Sequence, residues 1–151
     1  MGMVIAVCIS EKRGIKKTQV PYIDLLVNHG IIGDAHAGKW HRQVSLLAQE
    51  SIDKMLSLGL DLKAGDFAEN IVTSGIDLKT LPIGTVLSVG ETKLRVTQIG
   101  KKCHSDCEIK KLTGKCVMPT EGIFAEVITG GRIKADDEIA VCGDIDETDK
   151  N

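Results

Sequence analysis

The chain's 151 residues suffice for one domain with a real core, whereas two independent domains in that length would each be marginal. A hydrophobic share of 42% beside a charged share of 26% describes an ordinary globular fold, and 3% aromatics leave the core to aliphatic side chains with few rings to stack on bases. A net charge of −2 excludes a general polyanion binder, and no run approaches membrane-spanning length, so neither nucleic acid nor a membrane is an expected partner.

The opening MGMVIAVCIS is apolar but short, without a basic leader or a small-residue cleavage pattern, and Met3–Ile9 is predicted as a fully buried strand. Residues 11–17 are mostly polar around Gly14 and read as a turn; residues 20–32 fit neither the helical nor the strand period. Gln43–Ala48 is a second buried strand. It runs into a helix over 49–58 with Ile52, Met55 and Leu56 on one face and Gly59 as its stop. Strands are predicted over 85–89 and 93–99, joined through "GET", with Leu94 and Val96 on one face and Lys93, Arg95 and Thr97 on the other. A strand over 123–128 turns at Gly130-Gly131, and "RIKADDEIAVC" reads as a last hairpin turning at Ala135–Asp137. Many short strands, sixteen glycines and only one or two helices predict a mainly β protein, a closed or partly closed β-barrel. Residues 1–145 form a single domain in this reading and 146–151 an acidic, flexible tail. Five cysteines cannot all pair within one chain, which favours a reducing, cytoplasmic setting.

The chemistry concentrates in GKKCHSDCEIKKLTGKC, residues 100–116, with three cysteines, a histidine and five lysines. Ser105 to Glu108 spells a capping box ahead of Ile109 and Leu112, which opens a short helix. Cys107 then lies in the first turn and Cys103 two residues before the cap, where free N–H groups, Lys101, Lys102 and His104 favour a thiolate. Such a sulfur serves as a nucleophile or a metal ligand. The spacing C-x3-C-x8-C over Cys103, Cys107 and Cys116 matches neither the usual zinc nor the usual iron–sulfur patterns, and the order C-H-x-x-C reverses the haem attachment motif. A metal module on these three cysteines, or unreactive thiols on a basic loop, are the alternatives. Cys8 and Cys142 lie in apolar strand patterns and read as inert.

A second polar island, GIIGDAHAGKWHRQVSLLA at 30–48, places Asp34, His36, His41 and Arg42 ahead of a buried strand. It lacks the H-E-x-x-H zinc arrangement, and its functional reading is an anion pocket with Arg42 as a fork for phosphate and the histidines as donors. A third island, GDFAENI at 65–71, contributes Asn70. For both islands, solvated loop and turn chemistry is the competing reading.

Taken in order, "GIIGDAHAG", "HRQVSLLA", "GDFAENI", "LPIGTVLSVG", "TQIGKKCH" and "EGIFAEVITGGRIKADDEI" resemble the MOSC domain, the module named for the C-terminal part of molybdenum-cofactor sulfurases, and most of all its small stand-alone members. The resemblance implies a barrel of the MOSC and pyruvate-kinase-like type. It also implies a cysteine that carries sulfur or contacts molybdenum, at the position of Cys103. Family members are thought to accept sulfur from pyridoxal-phosphate-dependent cysteine desulfurases and pass it to metal–sulfur centres, and related domains bind the molybdopterin form of the molybdenum cofactor. On that basis His36, His41 and Arg42, with Asp34, Lys101 and His104, would hold the anionic part of the cofactor, and Asn70 would line the same cleft. Pyridoxal phosphate would sit on the donor enzyme. The implied partners are that desulfurase and molybdenum-cofactor biosynthesis proteins or molybdoenzymes, with this chain a sulfur transferase acting beside them. Cys107 and Cys116, and Lys101-Lys102 in place of a proline before the cysteine, depart from familiar members.

Overall fold

A computed structural model of the protein describes residues 2–12, 17–35, 37–40, 43–56, 69–99 and 122–143. The first strand, β1 (Gly2–Ile9), is followed by three short ones, β2 (Thr18–Val20), β3 (Ile23–Leu26) and β4 (Gly30–Ile31). Next come β5 (Val44–Ala48), helix α1 (Gln49–Leu56) and β6 (Ile71–Ser74). After a single 3₁₀ turn at Leu78–Thr80, the chain runs through β7 (Val86–Val89), β8 (Thr92–Ile99), β9 (Ile123–Thr129), β10 (Gly131–Ile133) and β11 (Glu138–Gly143).

The larger sheet has the order β11-β7-β8-β9-β5-β6-β1, and pairing of β1 with β11 closes these strands into a barrel, with β2 appended to β1. The pairs are antiparallel except β5 with β6, whose parallel direction requires the long connection that contains α1. A smaller antiparallel sheet, β10-β3-β4, contributes Ile23, Leu25, Ile31 and Ile133 to the same apolar core as Val7, Leu46, Leu87 and Leu94 of the barrel. The predicted barrel is thus observed, filled by aliphatic side chains as the scarcity of aromatics requires. No helix among the described residues is long and apolar enough to cross a membrane.

The strand faces follow the sequence pattern where the pattern is clean. In β8, Thr92, Leu94 and Val96 are buried while Lys93 is exposed and Arg95 and Thr97 are half-buried. β5 is buried along its whole length, as its unbroken apolar run predicts. The β7–β8 hairpin is tighter than expected. Val89 faces Thr92, leaving only Gly90 and Glu91 in the turn, and Gly90 at φ 56° supplies the left-handed residue that such a turn needs.

Three expectations are corrected. β1 is not fully buried, because Met3 and Ile5 on its outer side are exposed while Val4, Ala6, Val7 and Cys8 are inside. The expected last hairpin does not form between its own strands: β10 pairs with β3, whereas β11 pairs with β7 and β1. The turn between them is real, with Asp136 at φ 77°, but its backbone bonds Val4 of β1 on both sides, so the corner passes the chain from one sheet to the other. In α1, Ile52 is buried but Leu56 is exposed, so the apolar face is narrower than the spacing suggested. Residues 20–32 resolve into the end of β2, then β3 and β4, strands of four residues or fewer, too short to display any period.

Candidate functional site

The end of β1 gathers two of the polar islands. Asn70, completely buried at the entry to β6, donates from Nδ2 to the Cys8 carbonyl at 3.0 Å. Its Oδ1 accepts from the backbone N–H and the hydroxyl of Ser45 in β5 at 3.0 and 3.1 Å. The backbone closes the same triangle, since Cys8 N–H donates to the Asn70 carbonyl at 2.7 Å and Asn70 N–H donates to Ser45 Oγ at 3.0 Å. An asparagine suits this position because one short side chain both donates and accepts, serving two strands that cannot pair with each other directly.

Just past the end of β1, two residues after Cys8, Ser10 meets Asp34. Its N–H donates to Asp34 Oδ1 at 3.1 Å, and its carbonyl accepts from Ala35 N–H at 2.8 Å. The same Asp34 oxygen accepts from Lys17 Nζ at 2.7 Å, and that ammonium also donates to Ser10 Oγ at 3.2 Å. Both side chains of this ion pair are fully buried. Gly33, at φ 87°, makes the tight turn that aims Asp34 inward. Downstream, Gln43 sends its Oε1 across the sheet to accept from Val127 N–H at 2.9 Å, which anchors the residue next to Arg42 in sequence.

Strand register extends this frame across the sheet to the end of β8. Ile99 faces Ile123, Ile123 faces Leu46, Leu46 faces Ile71 and Ile71 faces Val7, one row across five strands. Ser45, Asn70 and Cys8 each immediately adjoin that row in sequence. β8 therefore ends two strands from β5, about 10 Å at the usual strand spacing, and Cys103 follows Ile99 by four residues in the sequence.

Of the candidate residues, Asp34 and Asn70 are thus placed, both with their side chains bonded within the frame. His36, His41, Arg42, Lys101, Cys103, His104, Cys107 and Cys116 lie outside the described residues, as do the predicted helix after Ser105 and the tail. Among the described residues, no group of His, Cys, Asp and Glu could hold a metal ion. Cys8 is buried, as expected of an inert thiol, whereas Cys142 is exposed.

Sequence reasoning missed Lys17, Ser10, Ser45 and Gln43. Lys17 belongs to a run that reads as solvated turn, and nothing local marks it as buried. Ser45 did carry a signal, being the lone hydroxyl in the apolar VSLLA. Beside the frame, a cleft of about 300 Å³ is lined by Ile9, Val20, Tyr22 and Ile32 among others. At its edge Arg132 donates to Asp24 at 2.9 Å and lies over the Tyr22 ring, 3.8 Å from its centre. The hydrogen bond to Asp24 raises the guanidinium pKa further, so this exposed group stays charged at every relevant pH.

The family model for the MOSC domain matches residues 33–140. None of the curated proteins matches the sequence. Among solved structures, the YuaD protein from Bacillus subtilis is similar with a TM-score of 0.75 and 19% identity, over 92% of this chain and 94% of that one. YiiM from Geobacillus stearothermophilus is similar with a TM-score of 0.72 and 16% identity, over 95% of this chain and 76% of its own. YiiM from Escherichia coli follows with a TM-score of 0.66 and 21% identity, over 95% and 70%. At these identities the likeness is one of fold.

Proposed function

The chain belongs to the MOSC domain family, which is linked to molybdenum-cofactor-related function, and on that footing we propose that it is a cytoplasmic cofactor-binding and sulfur-carrier domain, with Cys103 as the sulfur acceptor or molybdenum ligand. The observation that carries the reading is the span of the family match, 33–140, which takes in every candidate site residue from Asp34 to Cys116. The junction of two of those islands at the end of β1 supports it.

The division of labour follows from chemistry. The Cys103 thiolate attacks the outer sulfur of a donor persulfide. A new S–S bond forms at Cys103 as the donor's S–S bond breaks, and the donor leaves as a thiolate. An acceptor thiolate takes the sulfur by the same exchange in reverse. The guanidinium of Arg42, the imidazoles of His36, His41 and His104, and the Lys101 ammonium form a donor set suited to the phosphate of molybdopterin. When bound, that cofactor would supply a molybdenum centre that the Cys103 thiolate could ligate. Asp34 and Asn70 serve the site through the frame that they brace. Pyridoxal phosphate belongs to the donor desulfurase.

The test is the intact mass of protein handled without oxygen after incubation with a cysteine desulfurase and cysteine. The natural chain is expected to gain sulfur, and a folded Cys103→Ser variant is expected to gain none. Should Cys103→Ser gain sulfur while Cys107→Ser does not, the carrier is Cys107. Should all three cysteines resist alkylation until a chelator is added, a metal module on Cys103, Cys107 and Cys116 replaces this reading.

A further inference from the structure

We infer that Lys17 is a positioning residue: its buried ammonium fixes the turn at Gly33–Ala35 against the end of β1, within the stretch of sequence that carries the proposed anion donors. The ligand part of this inference rests on the function proposed above; the loop part does not.

The argument starts from a cost. A lysine and an aspartate with fully buried side chains add little net stability as a pair, because desolvating both charges offsets much of what their attraction returns. Here the pair sits where three separate pieces of backbone must be held together. Lys17 enters β2, Ser10 leaves β1, and Asp34 follows the Gly33 turn. Asp34 also organises the loop through its own backbone, donating to the Ile31 carbonyl at 3.2 Å and accepting from Ala37 N–H at 3.1 Å. The Ala35–Ser10 bond then ties the next residue to β1. Without the ammonium, the buried Asp34 carboxylate loses its 2.7 Å ion pair, and turning toward water offsets part of that loss. That motion pulls the loop backbone with it, since both Asp34 peptide groups are committed to the turn.

The loop carries its own reporter in Trp40, the chain's one tryptophan, which is half-buried and whose backbone N–H donates to the Gly38 carbonyl at 3.0 Å. The experiment is acrylamide quenching of Trp40 in full-length Lys17→Met, at a temperature where far-UV circular dichroism shows a folded protein. Quenching is expected to rise about twofold or more as the loop opens locally. A core-cavity variant, Leu87→Ala, is expected to lose stability yet leave Trp40 unchanged, which separates loop placement from general loosening. Unchanged quenching in folded Lys17→Met overturns the inference. If Lys17→Met does not fold, Asp34→Asn, which keeps the shape but removes the charge, is read in the same way, and unchanged quenching there overturns it equally. Molybdopterin binding by the natural chain is measured in parallel. Its absence sinks the proposed ligand, whereas the quenching result decides the role of Lys17 by itself.

Discussion

Asn70→Ala is the substitution whose cost is most directly worked from the structure. It deletes the acceptor for Ser45 N–H and Oγ and the donor to the Cys8 carbonyl, all three in the buried interior. The Ser45 hydroxyl can turn to another acceptor, but the backbone N–H and C=O cannot move. Two buried backbone groups that each lose a partner, at about 1–3 kcal/mol each, give an expected loss of about 2–6 kcal/mol, a large part of the stability of an ordinary domain. Asn70→Asp refines the test. It keeps the acceptor toward Ser45 but sets a buried carboxylate against the Cys8 carbonyl. Burial raises the pKa of such a carboxyl in the folded state. Its penalty is then full above that raised value and shrinks as pH falls, because the protonated acid can donate to Cys8 as the amide does. Urea unfolding followed by circular dichroism, at neutral pH and near about pH 5, measures both effects. A loss below about 1 kcal/mol in Asn70→Ala would show that Ser45 and Cys8 find other partners, and would refute the brace.

Thr73 Oγ1 is buried with no hydrogen-bond partner among the described residues, so Thr73→Val is expected to leave stability unchanged or raise it by up to about 2 kcal/mol in the same urea assay. A β-carbon at Gly130 would lie 2.6 Å from the Leu25 carbonyl oxygen, which is backbone and cannot yield cheaply; Gly130→Ala is expected to cost about 1–3 kcal/mol, read as a lower midpoint. Burial pushes the Asp137 carboxyl up, but bonds from the Lys134 N–H and ammonium, both 2.9 Å, outweigh it and hold the pKa below its ordinary value. Its contribution to stability is therefore present above the ordinary carboxylate range and lost as pH falls through the depressed value, and Asp137→Asn is expected to flatten that acid limb. Arg42→Ala is expected to weaken molybdopterin binding by about 1.5–3 kcal/mol in a titration while leaving the fold intact.

The barrel was legible because its signals are collective. Alternation along β8, the unbroken apolar run of β5 and the many short strands beside few helices all pointed one way, and none depended on a single residue. What failed was pairing. The segment from Arg132 to Cys142 has the composition of a hairpin, and its turn does form, yet Asp136 and Asp137 bond to Val4 and send the two strands to different sheets. Local patterning fixes where a chain turns but carries no information about a partner more than a hundred residues away. The same limit hid Lys17. Its burial depends on Asp34, seventeen residues on, and in isolation a lysine in a polar run is a solvated lysine.

The candidate site exposes a further limit of reading motifs. Asp34 and Asn70 stand in the sequence among residues assigned to ligand binding, and a motif does not distinguish residues that touch a ligand from those that hold the backbone around it. In the folded chain the side chains of both are bonded into the frame at the end of β1, Asp34 by Ser10 and Lys17, Asn70 by Ser45 and Cys8. Loss of binding after substitution at either position is therefore no proof of contact, because misplacing the loop or the strand end has the same effect on affinity. The two roles separate on stability. A frame residue forfeits affinity and folding free energy together, since its partners are left unsatisfied inside the protein. A contact residue such as the proposed Arg42 forfeits affinity alone, since water replaces the ligand around its guanidinium.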